Sequence, residues 1–333
     1  MSDKSDIIGL GLESSCDETS ASVVKNGEEI LSNITFSQID IHQEYSGVVP
    51  EIASRAHIEV INGLISKALD RAGVGFRSLD YVAATNRPGL VGSLLIALQS
   101  AKAISYSLNI PLICINHLEA HLYAPFLEAQ MLFFPYIGLV VSGGNTVLYH
   151  VQGIGRLEII GKTVDDAVGE AFDKVAKFLE LGYPGGPIIE KMAKLATERR
   201  MIFPKILADN NDDFRFSYSG IKTAVINYVK KNPDMDTREI AYSFQERSLE
   251  ILIRRVLAAA RLYKIKDIVV TGGVASNGRL REMLMEGMRD DERLLIPSPI
   301  LCTDNAAMVG GLGFQYYRKN IFSDLSIDVA PRA

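Results

Sequence analysis

One local pattern occurs twice in this chain, and it restricts the fold more than any other feature. Residues 7–12 read as an apolar, β-rich strand, residues 13–19 as a polar turn, and residues 21–25 as a second strand. Asn26-Gly27, a strong hairpin signal, then leads into residues 28–33. Residues 136–141, the turn Ser142-Gly143-Gly144-Asn145 and residues 146–151 repeat that order. After the first copy, Ile58, Ile61, Leu64, Ile65, Ala68 and Leu69 keep helical spacing within residues 52–71. A strand at 80–85, a helix at 91–108 and a strand at 111–115 follow. After the second copy come helices at 164–181, 187–199, 221–231 and 238–263, a strand at 267–271 and a last helix at 304–319. Hairpins followed by β–α units predict an α/β protein. The repeat predicts two similar lobes: residues 1–130 completed by residues 304–333, and residues 131–303. Ligands of open α/β sheets bind beyond the strand ends, so the lobes are expected to share a cleft there.

Composition removes several classes of function. At 333 residues and 47% hydrophobic, the chain is long and apolar enough for two cores. Net charge is −5, so any nucleic-acid contact needs a local basic patch or a partner. Three cysteines (Cys16, Cys114 and Cys302) without a CxxC pair give no disulfide framework and fit a reducing cytoplasm. Residues 1–6 are polar, without a signal-peptide core. No apolar run approaches the roughly 20 residues that cross a bilayer. Residues 206–216, rich in Asp and Asn, read as a surface loop.

Six segments carry candidate chemistry. His117 and His121 stand at i and i+4, so a helix puts both imidazoles on one face, in reach of one metal ion; the plain alternative is two surface histidines. Leu118 occupies the position where a zinc-peptidase HExxH motif needs Glu, and Glu119 is one residue early for the inverted motif. Residues 142–146 and 272–277 are glycine-rich turns whose N–H groups can cradle phosphate. The first is equally a plain hairpin turn. The second opens a helix, where Ser276 or Asn277 equally serves as N-cap. Residues 13–19 crowd Glu13, Asp17 and Glu18 against three hydroxyls and Cys16; the acids raise the thiol pKa and argue against a thiolate nucleophile. Asp166, Gly169, Glu170 and Asp173 share one helical face, beside the glycine turn at 183–187, as a wet acidic stripe or a ribose contact. Thr303 or Asp304 caps the last helix, or Asp304 joins His117 and His121 on a metal.

Taken in order, residues 13–19, 47–55, 88–94, 117–121, 141–146, 169–174, 183–187, 216–223, 272–277 and 302–308 resemble the motif run of the TsaD family of tRNA threonylcarbamoyladenosine synthesis. The resemblance spans residues 7–332. It implies an actin/Hsp70/sugar-kinase-like (ASKHA) α/β fold: two duplicated ribonuclease H-like lobes with a nucleotide cleft between them. It implies transfer of the threonylcarbamoyl group from threonylcarbamoyl-AMP to the exocyclic amine of adenosine 37, in tRNAs reading codons that start with A. It implies one divalent metal, Fe2+ or Zn2+, on His117, His121 and Asp304. Val140, Val141, Ser142, Gly143 and Gly144 would surround the adenylate phosphate and acyl portion. Asp173, Gly186, Glu190 and Asn277 would contact ribose and adenine, Glu190 standing where many relatives carry Asp. The implied partners are tRNA, a TsaB-type paralogue and a TsaE-type ATPase in a hetero-oligomer, without a membrane. Basic residues such as Arg55, Lys194, Arg200, Lys205 and Lys222 are candidates for the tRNA contact. The mixed anhydride is already activated, so no protein nucleophile is needed, and Glu13 or Asp17 is the expected base. An ATP-dependent small-molecule kinase and a nucleotide-switched scaffold share the fold and are the alternatives; neither requires the histidine pair.

Overall fold

The computed structural model describes residues 6–45, 47–129, 131–205 and 213–332. Residues 1–5 and most of the 206–216 stretch, read above as a polar terminus and a loop, lie outside them. The chain divides into two compact units: Met1–Leu132 with Thr303–Ala333, and Phe133–Cys302.

The first unit is built on a five-stranded sheet. Its strands are β1 (Ile8–Glu13), β2 (Glu18–Lys25), β3 (Glu29–Ser37), β4 (Tyr81–Arg87) and β5 (Leu112–Asn116). Their order is β3-β2-β1-β4-β5, with β1 antiparallel to β2 and parallel to β4. Asn26 and Gly27 have φ of 53° and 74°, the left-handed pair that a two-residue hairpin requires. In β1 the sequence alternates Leu10 and Leu12 with Gly9 and Gly11, and a strand sends alternate residues to opposite faces. The leucines join Ile61, Leu64 and Ala97 in one core, under the helices Pro50–Ala72 and Val91–Leu108. On the glycine face the helix Ala306–Arg318 comes close: a Cβ at Gly11 would lie 2.2 Å from Ala306 O. Tyr81 O–H donates to Gly310 O at 2.7 Å and ties that helix to β4. The Pro50–Ala72 helix begins before the expected residue 52 because Pro at its first turn presets φ. It stops at Gly73, φ 66°.

The second unit repeats the topology. Its strands are β6 (Tyr136–Val141), β7 (Thr146–Gly153), β8 (Arg156–Lys162), β9 (Asp267–Thr271) and β10 (Arg293–Leu295). The order β10-β9-β6-β7-β8 matches the first sheet strand for strand. Strand β10 is only three residues long, and the apolar residues of β8 (Leu157, Ile159 and Ile160) break alternation, so neither shows in the sequence pattern. The helix expected from residue 164 spans Val168–Phe178. Thr163 Oγ1 donates to Asp166 O and Thr146 Oγ1 accepts the Val168 N–H, which holds residues 163–167 in a turn. That helix meets the long helix Thr237–Tyr263 through Phe172 and Phe244, ring centroids 5.0 Å apart. Among the described residues no helix is long and apolar enough to cross a membrane.

Candidate functional site

In the first unit β1, β4 and β5 run parallel, so their C-terminal ends share one edge of the sheet. At that edge β5 ends in Asn116, whose side chain accepts the N–H groups of Leu118 and Glu119 at 2.9 and 3.3 Å. This cap starts the helix His117–Tyr123. His117 and His121 are therefore one turn apart, both buried, with ring centroids 4.6 Å apart. Asp304 arrives from the segment before Ala306–Arg318. The N-cap there is Asn305, which accepts the Met308 N–H at 3.1 Å, so the Asp304 carboxylate is free of the capping role. Asp304 Oδ1 lies 2.9 Å from His121 Nε2 and 3.5 Å from His117 Nε2. One ligand atom from each of the three lies within 4.8 Å of the others. Two imidazoles and one carboxylate suit zinc or iron and leave coordination positions open.

Behind His117 stands a second layer. His117 Nδ1 lies 3.0 Å from Glu13 Oε2 and 3.2 Å from Ser15 Oγ. Glu13 is fully buried and also accepts from Thr85 Oγ1 and the Ser15 N–H, both at 2.6 Å. A proton fixed on Nδ1 by a carboxylate leaves the Nε2 lone pair for a cation. Three donors thus converge on Glu13, the residue expected as a base, and set its carboxylate against His117 Nδ1. Burial pushes its carboxyl up, and His117 outweighs that and holds it low.

The charges around this edge are unbalanced. Burial lowers His117, but Asp304 and Glu13 prevail and carry it up to about 9. Burial raises Asp304, but His117 and His121 hold it down to about 2. Asp17 is raised by burial and by Asp304. Glu18, which the sequence offered only as part of an acidic turn, is pushed up to about 9 by burial and then by Asp304 and Asp17. Burial and Asp17 lift the Cys16 thiol far out of the reactive range. An edge that gathers carboxylates at this cost in desolvation suits a cation.

In the second unit the parallel strands β6 and β9 each end in a glycine turn. Ser142 N–H donates to Asn145 O and Ser142 Oγ accepts the Asn145 N–H, at 2.8 and 3.1 Å. A Cβ on Gly143 or Gly144 would meet nothing within 4 Å, so that side of the turn is open. Val140 and Val141 are fully buried within β6, where Val140 is paired with β7 and β9 and Val141 with β7. At Gly272, φ 95°, a Cβ would lie 2.3 Å from Val141 O; only glycine lets this turn pack on β6.

The expected nucleoside contacts are partly engaged already. Asp173 Oδ1 accepts the Gly185 N–H at 2.7 Å, and the neighbouring Gly186 is open. Glu190 Oε1 accepts the Gly278 N–H at 3.0 Å and pairs with Lys194. Asn277 caps the helix Gly278–Gly287 through Leu280 N–H and donates to Gln245 Oε1. Asp166 lies ahead of its helix and pairs with Lys174 and Lys222, which neutralises the acidic stripe. Thr271 Oγ1 and Ser276 Oγ, beside Gly272 and Asn277, are buried without a hydrogen-bond partner among the described residues. Sequence reading passed over Thr271 and took Ser276 as an alternative N-cap, a role that Asn277 fills.

The TsaD family model, described as tRNA N6-adenosine threonylcarbamoyltransferase, matches residues 29–311. A protein of that name from Clostridium perfringens (strain ATCC 13124) is 49% identical over 328 residues, covering 97% of this chain and 96% of its own. One from Clostridioides difficile (strain 630) is 47% identical over 332 residues, covering 98% of each. Among solved structures, the chain is similar to component A of the (R)-2-hydroxyglutaryl-CoA dehydratase of Acidaminococcus fermentans. The TM-score is 0.58 at 19% identity, covering 94% of this chain and 98% of that one. It is also similar to full-length HypF in its phosphate- and nucleotide-bound form, with TM-score 0.64 at 15% identity, covering 96% and 57%. At these identities the likeness is one of fold, the actin/Hsp70/sugar-kinase type.

Proposed function

The chain belongs to the TsaD family of tRNA N6-adenosine threonylcarbamoyltransferases, and from that premise we propose that His117, His121 and Asp304 hold one divalent cation, iron or zinc. The reaction is threonylcarbamoyl transfer from threonylcarbamoyl-AMP to the exocyclic amine of adenosine 37 in tRNA, with AMP as leaving group. The observation that carries the metal reading is the convergence of His117 Nε2, His121 Nε2 and Asp304 Oδ1. A cation there supplies Lewis-acid stabilisation of charge on the threonylcarbamoyl oxygens.

The chain's own groups do the rest. Glu13 keeps the proton on His117 Nδ1 and fixes the ring. The attacking nitrogen forms a bond to the carbamoyl carbon, the carbon–oxygen bond to phosphate breaks, and the nitrogen loses a proton. Asp17, half-buried with a raised carboxyl, is the better acceptor for that proton than the fully engaged Glu13. In the second unit, the open glycines of the 142–145 turn receive the phosphate through N–H groups. Asp173, Gly186, Glu190 and Asn277 receive the nucleoside. Lys222, Lys194, Arg200 and Lys205 sit in ion pairs with Asp166, Glu190, Glu198 and Glu250, so tRNA binding is shared with partners: a TsaB-type paralogue and a TsaE-type ATPase, in the cytoplasm. The relatives are named as threonylcarbamoyltransferases acting on tRNA, which disfavours the kinase and switch readings.

The test is a transfer assay with both partners, threonylcarbamoyl-AMP and an unmodified tRNA whose anticodon ends in U, read by nucleoside mass spectrometry. Threonylcarbamoyladenosine is expected from the native protein, with a loss of at least about a hundredfold in the His117→Ala, His121→Ala double variant. Undiminished transfer by a folded double variant would remove the metal from the reaction.

A further inference from the structure

The turn from β1 into β2 carries Asp17 and Glu18 beside Asp304, and three of its successive carbonyls are each held by a different element. Ser15 O accepts the Leu90 N–H at 2.9 Å, and Asp17 O accepts the Gln38 N–H at 3.0 Å. Between them, Cys16 O faces His57 Nε2 at 2.9 Å. The two outer bonds come from backbone; the middle one comes from a side chain on the Pro50–Ala72 helix.

The ring's proton is fixed by what surrounds it. A carbonyl only accepts, so His57 Nε2 carries the hydrogen. Nδ1 must then accept, and it lies 2.7 Å from Thr19 Oγ1 and 3.3 Å from Gln38 Nε2. Gln38 Nε2 also donates to Ala53 O, at 3.4 Å, which leaves Gln38 Oε1 to accept from His42 Nε2 at 3.2 Å. His42 Nδ1 in turn accepts the Val49 N–H at 3.4 Å. Every donor in this arrangement meets an acceptor, and Thr19, Gln38, His42 and His57 are all fully buried. Burial holds His57 below the usual imidazole range, in agreement with a single ring proton. On the far side of the turn, Ser20 Oγ accepts the Ala306 N–H at 3.0 Å, so the start of β2 is bonded directly to the segment that brings in Asp304.

We propose that His57 is a positioning residue for the transfer: through the Cys16 carbonyl it holds Asp17 and Glu18 in place against Asp304, and so sets both cation affinity and turnover. This goes beyond the metal assignment above but rests on it.

The experiment compares His57→Leu, which keeps bulk without a donor, with His57→Gln, whose amide nitrogen reaches the same carbonyl. Zinc affinity is measured by chelator competition, and kcat and KM for tRNA by the transfer assay. For His57→Leu, zinc binding should weaken about 10- to 100-fold and kcat should fall similarly, with KM for tRNA within about twofold. His57→Gln should recover both to within about threefold. Native zinc affinity and kcat in His57→Leu would overturn the inference, as would a folded His57→Gln no better than His57→Leu. If His57→Leu does not fold, Gln38→Met decides: it keeps the backbone N–H on Asp17 O but releases the ring, and should lose part of both quantities. Native values there overturn the inference. Native protein that fails to bind zinc would instead defeat the metal assignment, and the kcat comparison would still judge His57.

Discussion

Glu13 shows how a single side chain can differ from its appearance in sequence. It stands in an acidic turn, and only a contact 104 residues away, with His117, carries the orienting role proposed for it. Glu13→Gln keeps the shape but removes the charge; zinc affinity is expected to drop about 10- to 100-fold, measured by the same competition, with the fold retained. The pKa shifts give a second prediction, for metal-free protein. His117 is raised from 6.5 to about 9, so its contribution to stability is full below pH 6.5 and lost as pH rises through 9. Glu18, raised from 4.5 to about 9, costs the folded state increasingly over the same interval. Asp304, lowered from 3.8 to about 2, contributes above pH 3.8 and loses that contribution on acidification toward 2. Calorimetry should therefore show the melting temperature of metal-free protein falling between pH 6.5 and 9. A flat profile there would contradict the charge arrangement. At this scale the histidine pair was legible from its spacing. Asp304 was legible as a helix cap or as a third ligand, with no means of choosing between them, and His57 not at all, because one histidine on an amphipathic helix leaves no trace in the pattern.

At the scale of elements, sequence reading succeeded where local chemistry dictates structure. Asn26-Gly27 and the paired glycine turns mark hairpins by their own backbone preferences. It failed at β8, whose residues alternate mostly between exposed and half-buried: an edge strand held by pairing with β7 rather than by its own apolar side chains. The close seat of Ala306–Arg318 on β1 shows what the glycines of that strand do. Gly11→Ala would drive a Cβ into Ala306 O and Gly310 N, both backbone atoms that cannot rotate away. A loss of about 1–3 kcal/mol is expected in denaturant unfolding of the first unit, with weakened zinc binding because Asp304 lies on the displaced segment. Unchanged unfolding would mean the helix yields at no cost.

Across the whole molecule, the two sheets share one strand order, and that duplication was visible as a repeated strand–turn–strand layout. The division of the chain was read from where the second copy begins; nothing in the pattern of apolar residues shows why the last helix packs on the first sheet. The glycine face of β1 supplies the reason. The first unit is thus discontinuous, while the second, Phe133–Cys302, is one uninterrupted stretch with its own core. Residues 133–302 produced alone should melt cooperatively by circular dichroism. A product ending at Cys302 should keep that transition and lose the one belonging to the first unit. Two intact transitions in the shortened product would show that the last helix is dispensable to the first sheet.

That discontinuity orders events during synthesis. His121 and Asp304 are 183 residues apart in the chain, and a ribosome delivers the imidazoles long before the carboxylate. Most of what is translated between them, Phe133–Cys302, belongs to the second unit, which can fold as it emerges. The first sheet meanwhile waits with its glycine face uncovered. On the proposed assignment, capture of the cation would come among the last steps of maturation, and a polypeptide abandoned before residue 304 would lack the third ligand.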